Sequence, residues 1–359
     1  AVRIRSRFRA DNGFMRPLAY ENATWQLAGH VQGEHALGLS TTLEWGTRLT
    51  FVPDRATVYA EPRAALRYDR AESAVGGYAL RLAGGLYRQF TNRFDLSSTG
   101  PTSVVPSIRF WLPVDRSVTP PKAYHAAAEA LVMPAARWTV GAEAYYKRQP
   151  RILAVDYAAL VAAAEEPVLR AEAQRDFVAA SRGYAYGAGL RLQYDGRRLQ
   201  GTLGYAFSRS RRVFPGRFGD RLAPAPWSEP HRLTADADVP IAGGLAAHLS
   251  WKGVWGRTWP FRRAYYDYLG IDAAPGAFGP HRLDDPSAQT LSPLYRLDAS
   301  LSYTNTWRNV RVKAQAHLIN VLDRANEFDW TLNPTDDGLA KSARLLPGRR
   351  PALSITVGY

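Results

Sequence analysis

The chain has 359 residues, 46 Lys and Arg against 32 Asp and Glu, a net charge of +14, and no cysteine. The missing Cys excludes a disulfide framework, a thiolate metal site and a cysteine nucleophile, and no apolar run approaches the roughly 20 residues of a membrane-spanning helix. The positive charge is mixed with Asp, Glu, Gly and Tyr along the whole chain, with neither a helix-turn-helix pattern nor zinc-finger spacing, so no nucleic-acid partner is expected.

In chain order, the opening "AVRIRSRFRADNGF" lacks the apolar core of a signal peptide. The expectation is that a signal has been removed or that the sequence starts within a longer protein. Strands are expected over 2–10, 22–31, 35–45, 56–69, 77–90, 122–133, 137–149, 182–195, 198–211, 230–240, 244–256, 294–304, 310–323 and 349–359, about fourteen in all. The last of them shows the reason. Pro351, Leu353, Ile355, Val357 and Tyr359 fall on one face, and Ala352, Ser354, Thr356 and Gly358 on the other. Leu297, Ala299, Leu301 and Tyr303 alternate likewise with Arg296, Asp298, Ser300 and Ser302, and Val310, Val312 and Ala314 with Arg311, Lys313 and Gln315.

Each strand has about 10 residues, the reach of a tilted membrane-crossing strand, and aromatics gather near the strand ends, as in an interfacial girdle. Connections alternate between tight turns (195–198, 240–244, 305–309) and long stretches (91–121, 151–181, 212–229, 256–294, 325–349). Loops of that length are uncommon in compact soluble domains; short turns on one side and long loops on the other fit an outer-membrane barrel. The Ala- and Glu-rich segment 158–180 is expected to hold a short helix, broken at Pro167. The predicted fold class is all-β, a transmembrane antiparallel β-barrel over residues 1–359, with the greasy strand faces on lipid and the chain ending on a closing strand.

From about residue 56 onward the order of motifs resembles the TonB-dependent outer-membrane receptors. "EPRAALRYD" (61–69), "GGLYRQF" (84–90), "TPPKAYHAAAEALV" (119–132), "VGAEAYYKRQPRIL", "SEPHRLTADADV", "HLINVLDRANEFDW" and the closing "LPGRRPALSITVGY" carry the likeness, although Lys122 and Ala130 depart from the family's pattern. Residues 1–55 read as barrel strands without a distinctive match. The resemblance implies energy-coupled uptake of a scarce nutrient, such as a ferric chelate, at the outer membrane. It implies a 22-strand barrel of which this chain is the C-terminal part, and a TonB-type energy-coupling partner acting through a plug region not found here. Alternatives are a complete passive channel of about fourteen strands and an outer-membrane barrel enzyme.

The face opposite the lipid strip is basic: Arg63, Arg67, Arg81, Arg191, Lys252, Arg311 and Lys313. These residues are expected either to hydrogen-bond a plug domain and water or to form an electropositive path for an anionic small molecule. Loop candidates for ligand contact are Arg109, Trp111, Trp259, Phe261, Arg262, Arg263, Tyr265 and Tyr266, because aromatic surface combined with Arg grips ring systems and chelates. Outer-membrane lipid and lipopolysaccharide are expected partners, through Arg near the outer rim. No enzymatic activity or cofactor is expected. His231 and Asp236 fall on opposite faces of one strand, and His125 and Glu129 lack a third ligand. The loop pairs Asp284–Asp285 and Asp336–Asp337 read as solvated acids, with a Ca²⁺ site as the alternative.

Overall fold

The structure, a computed structural model, describes residues 1–10, 18–71, 76–95, 109–155, 169–170, 175, 178–213, 222–225, 228–259, 289–335 and 338–358. Fourteen strands follow one another along a single path in which every neighbour is next in order. They are β1 (Val2–Ala10), β2 (Leu18–Ala36), β3 (Thr41–Val52), β4 (Thr57–Arg70), β5 (Gly77–Arg88), β6 (Lys122–Ala135) and β7 (Trp138–Val155). Then come β8 (Val178–Asp195), β9 (Gln200–Val213), β10 (His231–Ala242), β11 (Leu245–Trp255), β12 (Leu294–Trp307), β13 (Val310–Ile319) and β14 (Arg350–Gly358). All these pairings are antiparallel. All fourteen predicted strands exist, and β2, β7 and β8 run to 18 or 19 residues, well past their predicted spans.

The ladder register carries the face of one strand to the next. Leu353 pairs with Ala316, Ala316 with Leu301 and Leu301 with Ala247. Tyr194 pairs with both Gly201 and Trp138. The apolar residues read from the sequence therefore form one continuous outer face, which remains exposed at Leu353, Ile355, Leu301, Leu249, Leu203, Leu190 and Leu82. Two aromatic rows bound it. Near the short turns Tyr68 meets Tyr78 at 5.8 Å and Trp138 meets Tyr194 at 4.7 Å between ring centroids. Near the long loops Tyr184 stacks on Tyr186 and His231 on Trp255, the latter at 5.4 Å. So large an apolar surface left uncovered would be untenable in water, and the two aromatic rows are the girdles of a bilayer-facing band.

The turns obey steric rules. Gly243 and Gly244, both at positive φ, make the β10–β11 turn. A Cβ on Gly244 would lie 2.1 Å from the Thr304 carbonyl oxygen, which leaves no room for any side chain.

Two sequence expectations need correction. The β2–β3 turn lies at 37–40, not 32–34: Leu37 N–H donates to the Thr41 carbonyl at 2.8 Å. Gly33, which reads as a turn residue, sits inside β2 because the Trp45 ring lies across it, 2.9 Å from where a Cβ would be. β1 is no full wall strand, since it pairs only with Leu18–Gln26, the half of β2 that rises past its pairing with β3 at Leu27–Ala36. Of the segment 158–180, in which a short helix is expected, Leu169–Arg170 pairs in parallel with Leu18–Ala19 and Val178 begins β8. The rest of that segment lies outside the described residues.

Leu301→Arg or Val312→Arg, on the apolar face, should impair assembly, costing roughly 2–4 kcal/mol near a bilayer midplane. Gln315→Arg, which pairs with Ser302 and Ser354 on the other face, should be tolerated. Heat-modifiable mobility of the three variants in outer-membrane fractions checks the assignment, and equal defects would refute it.

Candidate ligand-binding wall and rim

By register, all seven predicted basic wall residues share the polar face. Arg67 pairs with Arg81, Arg81 with Glu129 and Glu129 with Glu143, while Thr234 pairs with Lys252 and Lys252 with Arg296. Arg311 and Lys313 continue the face on β13 opposite Thr306 and Thr304. A concavity of about 930 Å³ opens on this face between β3 and β10, lined by Glu44, Arg67, Arg81, Glu129, Glu143 and Arg191 among others.

Its charges are only partly neutralised. Arg67 reaches Asp69 at 2.6 Å and Arg81 reaches Glu44 at 3.5 Å. Arg63 donates to Gln32 at 3.3 Å. Arg191 donates to Gln193 at 3.0 Å, and Gln193 in turn donates to Asp195 at 2.9 Å. Among the described residues Lys252, Arg311 and Lys313 have no ion pair. Two carboxylates, Glu129 and Glu143, stand directly opposite each other with no salt bridge to either among the described residues, an arrangement that costs free energy unless water or a cation intervenes.

At the long-loop end, chain segments described in no strand prediction pack onto the same face. Thr91–Asp95 and Arg109–Pro113 form a ribbon. Phe94, Leu112, Val114 and Val118 bury themselves against the upper strands, where Tyr20, Thr24, Val52 and Tyr59 are also buried. Arg55 anchors the segment after the ribbon: its Nη1 donates to the carbonyls of Asp115, Arg116 and Val118 at 3.0, 2.9 and 2.7 Å, and its Nε to Tyr59 at 2.9 Å. Asp115 accepts from Tyr20 at 3.0 Å and from the Ser117 N–H at 2.7 Å. A second ribbon, Glu327–Thr335 with Gly338–Leu345, rises beyond β13. Arg257, 7 % exposed, ties its base to the wall by donating to the carbonyls of Glu327 and Phe328 at 2.7 and 3.0 Å. In that ribbon Arg344 pairs with the buried Asp329 carboxylate, which raises the Arg344 pKa still further. On the β1–β2 hairpin Arg5 holds the Glu21 carboxyl below the usual carboxylate range. That pair persists at neutral pH and is lost as the pH falls through the lowered value.

The segment "NVLDRANEF" is a structural hub. Asn320 and Asp323 adopt positive φ and end β13 at Ile319 rather than at 323. Asn320 N–H donates to Asp298 at 2.8 Å, and its side chain exchanges hydrogen bonds with the backbone of Arg324. Asn326, 2 % exposed, closes a two-way clasp on Tyr295: it accepts from the N–H at 3.0 Å and donates to the carbonyl at 2.9 Å. Asp323 accepts the Arg349 N–H at 2.7 Å, and Arg349 Nε donates back to the Val321 carbonyl at 3.0 Å. These motif residues join β12, β13 and β14 and do not line the concavity. No strand-periodicity argument finds this role; the density of Asn and Asp in "NVLDRAN" was its only sequence signal.

Of the loop candidates, Trp111 is exposed on the first ribbon, where its carbonyl accepts from Ser6 at 3.1 Å. Arg109 and Trp259 are placed by their backbones, on the first ribbon and on a short pairing with Gln289. Phe261, Arg262, Arg263, Tyr265, Tyr266 and both acidic pairs, Asp284–Asp285 and Asp336–Asp337, lie outside the described residues. His231 accompanies Tyr205, at 2.8 Å from its hydroxyl, on the outer aromatic face, away from Asp236.

No family model and no curated protein matches the sequence. Solved structures do resemble the fold. They include the outer membrane transporter YddB from Escherichia coli (11% identity, TM-score 0.58, 94% of this chain and 45% of that one). A mutant ferric enterobactin receptor, PfeA, from Pseudomonas aeruginosa is similar at 11% identity and TM-score 0.62, over 94% and 45% of the two chains. The ferric yersiniabactin uptake receptor FyuA from Yersinia pestis is similar at 12% identity and TM-score 0.58, over 94% and 46%. The chain thus has the fold of outer-membrane receptor barrels and spans less than half the length of each of these structures.

Asn326→Leu should strand the Tyr295 N–H and carbonyl and cost about 1–3 kcal/mol for each buried group left unpaired. It should lower the temperature of the heat-modifiable shift, whereas Arg311→Gln should leave that temperature unchanged. Arg55→Ala should release segment 115–118, read as new cleavage there in limited proteolysis of intact membranes.

Proposed function

We propose that this chain forms wall and rim of an outer-membrane receptor that takes up a small anionic ligand, with a ferric chelate as the leading class. The observation that carries the reading is the division of one fourteen-strand sheet into an outer apolar face with two aromatic rows and an inner face rich in Arg and Lys. The structural neighbours named as siderophore receptors and ferric uptake receptors support it at the level of fold. The motif order noted above supports energy coupling through a TonB-type partner and a plug region. The wall contributes no bond chemistry in this reading: no nucleophile, acid and base converge among the described residues, and its groups bind, orient and guide. Charge on the inner face raises the local concentration of an anion and fixes its path.

The deciding experiment uses the protein as it occurs in native outer membranes. Intact mass is measured first, then binding of ferric chelates of differing charge by intrinsic Trp fluorescence. A mass well above the 39.8 kDa of this chain, with anionic chelates binding more tightly than cationic ones, is the expected result. Arg81→Gln with Arg191→Gln should weaken the anionic chelate roughly tenfold, as loss of charge-assisted contacts does, and leave a neutral chelate unaffected. A mass equal to that of the chain, together with ion conductance in planar bilayers and no chelate binding, would replace the receptor with a passive channel.

A further inference from the structure

The outer face has its own charge pattern. Carried through the ladder register, every Asp and Glu of β3–β14 falls on the polar face and none on the apolar one. Lys and Arg do not obey that rule. Lys122, Arg148, Arg151, Arg182, Arg209 and Arg211 lie on the outer face near the long-loop ends of β6–β9, and Arg70 lies on it at the short-turn end of β4, opposite Tyr78. Strands β10–β14 place no Lys or Arg on that face. Arg88, beside them on β5, turns its guanidinium over the Tyr59 ring at 4.8 Å and takes no part.

The cations are interleaved with aromatics in adjoining rows. Tyr124 pairs with Arg148, Arg148 with Tyr184 and Tyr184 with Arg211. One step toward the apolar band, Tyr146 pairs with Tyr186 and Tyr186 with Arg209. Strands lie about 4.8 Å apart, so Arg148 and Arg211 stand about 10 Å from each other, with Arg209 below Arg211 on the same strand. Arg148 and Arg209 are exposed. Among the described residues, Arg148, Arg209 and Arg211 make no side-chain hydrogen bond or ion pair. Three guanidinium groups with no neutralising partner among the described residues stand at the upper aromatic row and face the headgroup layer of the leaflet on the long-loop side, and a planar guanidinium binds phosphate by paired N–H donors.

The geometry points to a docking site for the phosphorylated glycolipid of the outer leaflet, lipopolysaccharide, on the upper outer face of β6–β9. Arg148, Arg209 and Arg211 take its phosphate oxygens, and Tyr124, Tyr146 and Tyr186 lie along the sugar–acyl boundary. A soluble anionic ligand would have no reason to meet these residues, because they point away from the concavity of the polar face. The site stands on the register of the outer face alone and does not depend on the uptake reading.

The test uses the protein extracted from outer membranes, as wild type and as the triple variant Arg148→Gln, Arg209→Gln, Arg211→Gln. Each is stripped of lipid by detergent exchange and offered purified lipopolysaccharide, with bound lipid counted by native mass spectrometry. The expected result is roughly tenfold weaker retention by the triple variant, the same loss when wild type is offered enzymatically dephosphorylated lipid, and full retention by Arg311→Gln with Lys313→Gln on the polar face. Equal retention by wild type and triple variant would overturn the assignment. So would undiminished binding of the dephosphorylated lipid, a comparison made on wild type alone that decides the matter even if the triple variant fails to assemble. Displacement of the lipid by inorganic phosphate at low millimolar concentration would mark a free-anion site and overturn the lipid assignment as well.

Discussion

A strand that crosses a membrane has to hide every N–H and C=O in its neighbours' ladders, because hydrocarbon offers no partner. Next-neighbour antiparallel order meets that demand along the path β1–β14. Once the ladder is continuous, side-chain direction is no longer a local matter. The facing of Leu353 fixes that of Ala316, Leu301 and Ala247 in turn. The apolar band, the aromatic rows and the charged inner face all follow from that propagation.

Parity explains how much could be read beforehand. Strands such as "YRLDASLSYT" and "ALSITVGY" alternate strictly, since one side meets an apolar surround and the other a polar interior, so their existence and facing were legible. The β2–β3 turn was not, because Gly33 looks like a turn residue until Trp45 is placed across it. The ribbons 91–95/109–113 and 327–335/338–345 were also hidden. The first pairs over only five residues, and both are tied to the wall by distant anchors, Arg55 and Arg257, which no local pattern announces.

The candidate site divides the same way. The seven basic wall residues were identifiable by parity, and they do share a face. Their neutralisation was not, because Arg81 meets Glu44 across two strand boundaries, 37 residues away in sequence. The family-like segment "NVLDRANEF" suggested function by resemblance, and the structure gives it an architectural task. Charge also separates the two faces by sign: acids of β3–β14 are confined to the inside, while cations appear on both. A carboxylate on the outer face would have to lose its hydration with no cation to meet it, whereas Arg and Lys can extend to anionic headgroups.

Alternation has one gap in what it can specify. A slip of two residues preserves every facing, so parity leaves a strand's absolute position degenerate. The hub at Asn320–Asn326 removes that degeneracy at the end of the chain. Asp323 receives Arg349 N–H and Asn320 reaches the Pro347 carbonyl at 3.4 Å, both immediately ahead of β14. Shifted by two, β14 would still look greasy outward, but these contacts would be lost together. The information that the repeating pattern cannot hold is thus stored in four or five non-repeating side chains at its rim.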